Sequence, residues 1–465
     1  MKKRKFFFLV IFVLAILVYM PKLPKEETNS GSTFEFMSLL DIADSQQSME
    51  TQAMTNSENE KGKKNTRVEK KISLPAAYDM RKKKRAPKVY NQGNYGTCWA
   101  FASLSAVEST LLPKEKMQFS REHMVLANSF KSTMNSGGDF MMALAYLTAW
   151  QGPVLASQDA YGDMVTPKNL KAQKHVQEAQ IIGKRKFRQI KEMVYRYGGV
   201  QSSLYTSLTE SNRKSAYYNS KKAAYCYRGK KTANHEIVII GWDDNYPKEN
   251  FTKKVKGNGA FLCRSSWGKG FGENGDFYVS YYDSNIGIHN LVYTKVESKN
   301  NYDKIYQSDL CGCVAQLGYK GQDDAYFSNV YKTKENEKVR AVGFYAPAKN
   351  AEYEVYVFED YKNKNSLSGY KRIRARGTFS NAGYYTVDLD EPVIVKKGHK
   401  FAVVVYLKTP GYSKPISVEC KNDKQTANVD ISDGEGYYSL NGSHWSRSEK
   451  ENINICLKAY TDRVK

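Results

Sequence analysis

The stretch Asn91-Gln92-Gly93-Asn94-Tyr95-Gly96-Thr97-Cys98-Trp99-Ala100-Phe101 decides how this chain is read. A loop punctuated by glycines ends at a cysteine. From there Cys98–Leu111 runs on as an apolar segment without Gly or Pro, which predicts a buried helix. A helix N-terminus carries partial positive charge and unpaired N–H groups. Both favour thiolate over thiol, so Cys98 is expected to have a lowered pKa and to be nucleophilic. A buried structural cysteine gives the same local pattern, and this stretch alone does not separate the two.

A second segment does. The chain has six histidines, and one of them stands in Asn234-His235-Glu236 at the entry to the apolar run Ile237–Gly241. Its place downstream of Cys98 falls within the roughly 130–150 residues that separate nucleophile and base in one class of cysteine peptidase. Third comes Cys263-Arg264-Ser265-Ser266-Trp267-Gly268, followed by the glycine-rich Gly270-Phe271-Gly272-Glu273-Asn274-Gly275. The order and spacing of the three segments agree with one another, the first two supplying a candidate nucleophile and a candidate base.

On Gln92, Cys98, Trp99, His235 and Trp267-Gly268 the sequence resembles the papain family of cysteine peptidases, across residues 74–297. The resemblance implies acyl transfer through a Cys98–His235 thiolate–imidazolium pair. It implies an oxyanion held by the Gln92 amide and the Cys98 backbone N–H, and Trp267 shielding the imidazole. Ser136-Gly137-Gly138 resembles the glycine pair of the substrate cleft, so Gly137, Gly138, Glu236 and Trp267 are assigned to the substrate-binding side. Glu236 follows the histidine where relatives border a side-chain pocket, and its charge is expected to favour basic or polar side chains. Two positions depart from the family. Ser265 stands where asparagine usually orients the imidazole, which predicts a looser histidine and weakened activity. Tyr95 stands where many relatives have a disulfide cysteine. No cofactor or metal is implied.

Outward from this segment the chain divides into four parts. Lys2, Lys3, Arg4 and Lys5 precede the apolar run Phe6–Met20, closed by Pro21. That is the pattern of an export signal, and the run is short for a membrane span of roughly 20 residues. Residues 1–21 are therefore expected to be a signal peptide or a signal-anchor, and the rest of the chain extracellular. Residues 22–73 are polar, with a brief apolar island at Glu35–Ala43 expected to form one or two helical turns. They read as a pro-segment or linker. Residues 74–297 carry helical signals first (Cys98–Leu111, Met141–Trp150) and strand signals later (Glu236–Gly241, Gly259–Cys263, Phe277–Tyr282), an α+β papain-like catalytic domain. Residues 298–465 consist of short strands between Gly, Asn and Asp turns, an all-β sandwich. Together the parts resemble Gram-positive surface peptidases that carry a C-terminal lectin-like domain.

The formal charge of +23 suggests nucleic acid, but no module for it is visible and part of the excess sits in a low-complexity stretch between Lys61 and Lys71. Protein or peptide substrates are the expected partners, with cell-wall or anionic polymer contact as a further one and membrane contact only through the N-terminal segment. The run Arg81-Lys82-Lys83-Lys84-Arg85 reads as a solvated face, or as the contact for such a polymer. Seven cysteines is an odd number; outside the cell the six besides Cys98 are open to pairing. Asn441-Gly442 reads as a type I′ hairpin turn. Apart from an active endopeptidase, the residues admit a binding protein built on a decayed peptidase, and a cysteine-dependent transferase acting on wall peptides.

Overall fold

The computed structural model describes residues 32–35, 72–209, 211–369 and 372–464. The expected signal peptide, residues 1–21, and the basic stretch 61–71 lie outside the described residues. No helix among the described residues is long and apolar enough to cross a membrane.

The helix expected from the opening stretch spans Cys98–Leu111, and nearly every residue along it is buried. Its face is built of Ala, Ser and Leu, small enough for strands to close on it from more than one side. The second expected helix covers Phe140–Thr148, where Asp139 caps the first turn by accepting from the amides of Met141 (2.8 Å) and Met142 (3.1 Å). Sequence periodicity missed two further helices, Arg121–Leu126 and Phe187–Arg196. The later strands stand where expected: His235–Asp243 pairs antiparallel with Ala260–Arg264, which pairs with Asp276–Ser280. The fold is an α+β domain followed by a β-rich domain, mostly strand with few helices.

The two halves share a sheet. Among the described residues, 13 strands form one continuous sheet that holds the histidine strand at one side and Glu337–Ala346, Ala382–Val395 and Leu457–Arg463 of the second domain at the other. The junction is the pairing of Lys174–Ile181 with Ala382–Tyr385, in register from Ala382 opposite Ile181 to Tyr385 opposite Glu178. Gly383 permits it, since a Cβ there would lie 2.2 Å from the Ala179 carbonyl oxygen. Tyr345, Ala382, Tyr384 and Cys456 of the second domain belong to the same apolar core as Trp99 and Leu104. The sandwich core proper packs Val339, Val342 and Phe344 against Phe327, Val403 and Val405 of a 6-stranded sheet.

Several expectations are corrected here. All seven cysteines are free, so no disulfide staples either domain. Of the island Glu35–Ala43 expected to be helical, Glu35 ends the strand Ser32–Glu35, which pairs with Ala315–Tyr319, and residues 36–43 lie outside the described residues. Asn441-Gly442 does not make a two-residue hairpin. The strands Gly436–Ser439 and Ser446–Arg447 are joined by a longer loop, in which the Asn441 side chain accepts from the amides of Ser443 and His444. Trp445, beside that loop, is buried in an apolar cluster with Tyr361 and Tyr437 and covers the sheet.

Candidate active site

Cys98 is the first residue of its helix. Thr97, at the N-cap position, makes no side-chain cap, because its hydroxyl bonds instead to that of Tyr161 at 2.7 Å. The first helical amides are therefore left for the sulfur, and the backbone N–H groups of Trp99 and of Cys98 itself favour its thiolate. A third N–H does the same, that of Glu236, the residue after His235. The sheet thus brings the histidine strand onto the cysteine at the helix end, two segments far apart in the chain.

The electrostatics depart from the sequence expectation. Burial pushes the Cys98 thiol up to about 11 against these N–H groups, and the Glu236 carboxyl pushes in the same direction. Burial alone lowers the His235 imidazole to about 3. Desolvation therefore sets both groups toward their neutral forms, where a lowered cysteine pKa was expected. Moving one proton from sulfur to imidazole leaves the net charge of the pair unchanged, so their mutual attraction is what offsets burial.

The imidazole is held by a ring and not by Ser265. His235 stacks on Trp267 with ring centroids 4.4 Å apart and planes inclined by 16°. Its Nε2 is buried without a hydrogen-bond partner among the described residues. Ser265 Oγ accepts from the Trp267 backbone N–H at 3.2 Å, and the structure shows no Ser265–His235 bond. The expected orienting bond is therefore not made, and the serine hydroxyl is engaged locally. Trp267, assigned above to the substrate side, is only 4% exposed and serves as the cover of the histidine.

Gln92 is fixed on both sides. Its Oε1 accepts from the Ser266 hydroxyl and its Nε2 donates to the Tyr95 carbonyl at 2.7 Å, which leaves the second amide hydrogen free. Its backbone N–H donates to Ser266 O at 2.7 Å, tying the cysteine loop to the Ser265–Trp267 segment. Gly137 and Gly138 sit beside the same loop. A Cβ on Gly138 would lie 2.6 Å from the Trp99 ring, and a Cβ on Gly96 would lie 3.3 Å from the Gly137 amide.

Sequence reasoning missed three side chains here. Ser103, on the cysteine helix, donates to Gln201 Oε1 at 2.7 Å, and Gln201 Nε2 donates to Glu236 Oε2 at 3.2 Å. Asp139 adds a second carboxyl close enough to raise the Glu236 pKa. Burial lifts Glu236 to about 8 and Asp139 to about 6. No motif marked Gln201 or Asp139; only the sheet register, with Ser203 opposite Glu236, and the cap of Phe140–Thr148 place them here. The basic run divides. Arg81 is bound to Asp79, Glu273 and Asp276, and Arg85 donates to the carbonyls of Tyr195 and Tyr197, so only Lys82, Lys83 and Lys84 are exposed.

The site thus combines a cysteine at a helix end, a histidine stacked under a tryptophan, and a glutamine held between the cysteine loop and the Ser265–Trp267 segment. Residues 74–296 match the family model described as papain family cysteine protease, and residues 305–461 the model described as lectin like domain. Residues 74–296 thus belong to the papain family of cysteine proteases, and residues 305–461 form a lectin-like domain.

Over 83% of its length, and 99% of the other chain, it is similar to the clostridial cysteine protease Cwp84 after propeptide cleavage, with 26% identity and a TM-score of 0.73. Its fold is also that of the cysteine protease and lectin-like domains of Cwp84, a surface layer associated protein of Clostridium difficile (TM-score 0.75, 24% identity, 93% of this chain and 98% of that one). Curated relatives include cathepsin K of Mus musculus, 25% identical over 227 residues, and cysteine proteinase 1 of Entamoeba histolytica, 27% identical over 212 residues. These matches take in 47% and 44% of this chain, and 64% and 63% of the relatives' length.

Proposed function

We propose that the protein hydrolyses peptide bonds in cell-surface or secreted proteins, with Cys98 as nucleophile and His235 as its base. The observation that carries the proposal is the approach of the histidine strand to the uncapped helix end, which sets the Glu236 amide against the Cys98 sulfur. The imidazole takes the thiol proton as sulfur attacks the scissile carbonyl carbon. The oxyanion is received by the free Gln92 amide hydrogen and the Cys98 N–H. The imidazolium then gives its proton to the departing amine as the C–N bond breaks. Water, deprotonated by the same imidazole, cleaves the thioester and restores the thiol.

The leader pattern of residues 1–21 and the likeness to a surface layer associated protease support a location outside the cell. Near neutral pH Glu236 is mostly protonated while Asp139 is mostly ionised, so the pair presents about one negative charge beside the cleft. That charge suits a basic substrate side chain. The orphaned His235 Nε2 favours a second reading of the same site, a peptidase of reduced turnover that has become chiefly a binding protein.

Labelling with an active-site-directed epoxide, followed by peptide mapping, tests the nucleophile. Modification of Cys98 that is lost in His235→Ala supports the proposal. Modification spread evenly over the thiols, or absent at Cys98, would sink it.

A further inference from the structure

The strand Ser32–Glu35 belongs to the leader of residues 22–73 that precedes the peptidase domain, yet it is seated on the lectin-like domain. It pairs antiparallel with Ala315–Tyr319, with Ser32 opposite Tyr319, Thr33 opposite Gly318, Phe34 opposite Leu317 and Glu35 opposite Gln316. Ser32 is fully buried, its hydroxyl 3.4 Å from that of Tyr438 on the facing sheet, and Thr33 Oγ1 donates to the Gly318 carbonyl at 3.4 Å. The sheet order runs from the leader strand through Ala315–Tyr319 to Ile416–Cys420 and Ile453–Ile455. Without the leader, Ala315–Tyr319 becomes an edge strand, and all five of its residues are buried as the chain stands. An apolar edge of this kind is a template for pairing with other chains unless something covers it.

We propose that residues 32–35 are a clasp that closes the edge of the lectin-like domain only while the leader is covalently attached, and that cleavage within residues 36–71 opens this edge. The occupant is this chain's own leader, held by strand addition. Four paired residues supply few hydrogen bonds, and fixing their backbone costs a comparable free energy. The connection through residues 36–71 makes docking intramolecular and supplies the effective concentration that such a short strand needs. Once that connection is cut, the strand loses the advantage and leaves. The lectin-like domain thereby reports on processing of the leader, independently of whether Cys98 performs the cut.

Hydrogen exchange on full-length Cys98→Ala protein tests this. It is measured intact, after cutting at a protease site introduced within residues 36–71, and in an intact variant carrying both Thr33→Pro and Phe34→Pro. Successive amides of a strand point to opposite sides, so one of the two prolines removes a ladder donor whichever way the strand lies. The alternate amides of Gln316–Tyr319 that face the leader should exchange about tenfold faster in the cut and proline forms than in the intact one. Excess synthetic peptide spanning residues 30–37 should slow them again in the cut form. Equal exchange in the intact and proline proteins, or protection that survives the cut without added peptide, would overturn the proposal.

Discussion

His235 stacks on Trp267 with a centroid separation of 4.4 Å and an interplanar angle of 16°, and Trp267 in turn meets Phe271 edge-on at 4.9 Å and 84°. With Nε2 unpaired, this aromatic stack is what fixes the ring plane relative to Cys98. Trp267→Ala should therefore lower kcat/KM by about a hundredfold, the usual effect of misplacing a reacting group by an ångström. Stability should also fall, by about 3–5 kcal/mol for a truncated buried tryptophan. Trp267→Phe, which keeps a ring, should recover most of both. Steady-state kinetics beside chemical denaturation check this, and an unchanged kcat/KM in the alanine protein would remove the stack from the mechanism.

At Ser265 the structure separates two substitutions. Ser265→Ala deletes a hydroxyl that only accepts from the Trp267 amide, so turnover should change little. Ser265→Asn restores the amide that the family resemblance assigns to the imidazole, and Nε2 is unpaired and available to it. One hydrogen bond to a charged imidazolium is worth about 1.5 kcal/mol, so kcat should rise roughly tenfold. A drop in the asparagine protein would show that the site has closed around serine.

Glu236 gives a pH signature. Burial raises its carboxyl from 4.5 to about 8, so the folded state holds a proton that the unfolded chain has released between those values. The stability this contributes is complete below 4.5 and is lost as pH rises through 8. Glu236→Gln should thus raise Tm at pH 9 relative to wild type by more than it does at pH 5. The ionised carboxyl also raises the Cys98 pKa, so alkylation of Cys98 should be faster in the glutamine protein above pH 8 and equal below 6. Parallel profiles for the two proteins would contradict both statements.

Much of this architecture is visible in the residues themselves, and the exceptions have a common cause. Cys98, His235, Gln92 and Trp267 are carried by short local patterns: a glycine loop running into an apolar helix, a histidine opening an apolar strand, a Trp-Gly pair. The helix Cys98–Leu111 begins and ends as read from the sequence, because apolarity without Gly or Pro is a local signal. Gln201, Asp139 and Ser266 enter the site through strand register and loop packing, which one sequence does not display. The free state of all seven cysteines is likewise decided by where the strands lie and not by their number. The shared sheet was illegible for a plainer reason: each half has its own pattern, and the pairing of Lys174–Ile181 with Ala382–Tyr385 leaves no mark on either.

Glu108 shows what such hidden contacts contribute. It lies on the cysteine helix and holds Arg121 at 2.6 Å, with both side chains 2% exposed, while also accepting from the Phe119 amide at 3.0 Å. Glu108→Ala leaves a buried guanidinium unpaired and should destabilise the protein by about 3–5 kcal/mol. Glu108→Gln should cost less. Denaturant midpoints at constant slope decide this, and a neutral alanine variant would show that Arg121 finds water.

Removing the lectin-like domain should be worse than losing a neighbour. Residues 74–297 alone expose the edge of Lys174–Ile181 and the core surface now covered by Tyr345, Tyr384 and Cys456. That fragment should aggregate, whereas residues 32–465, which keep both the lectin-like domain and the strand Ser32–Glu35 on its edge, should stay in solution. A monodisperse, folded 74–297 fragment by light scattering and circular dichroism would contradict a shared fold.

The central claim is that Cys98 does chemistry on peptide bonds. The most direct measurement is hydrolysis of a protein substrate and a peptide library by the full-length protein, beside its Cys98→Ala form. The account predicts turnover in wild type, abolished by alanine, with cuts enriched near basic side chains. Equal turnover in both proteins, or none in wild type under reducing conditions, would contradict it.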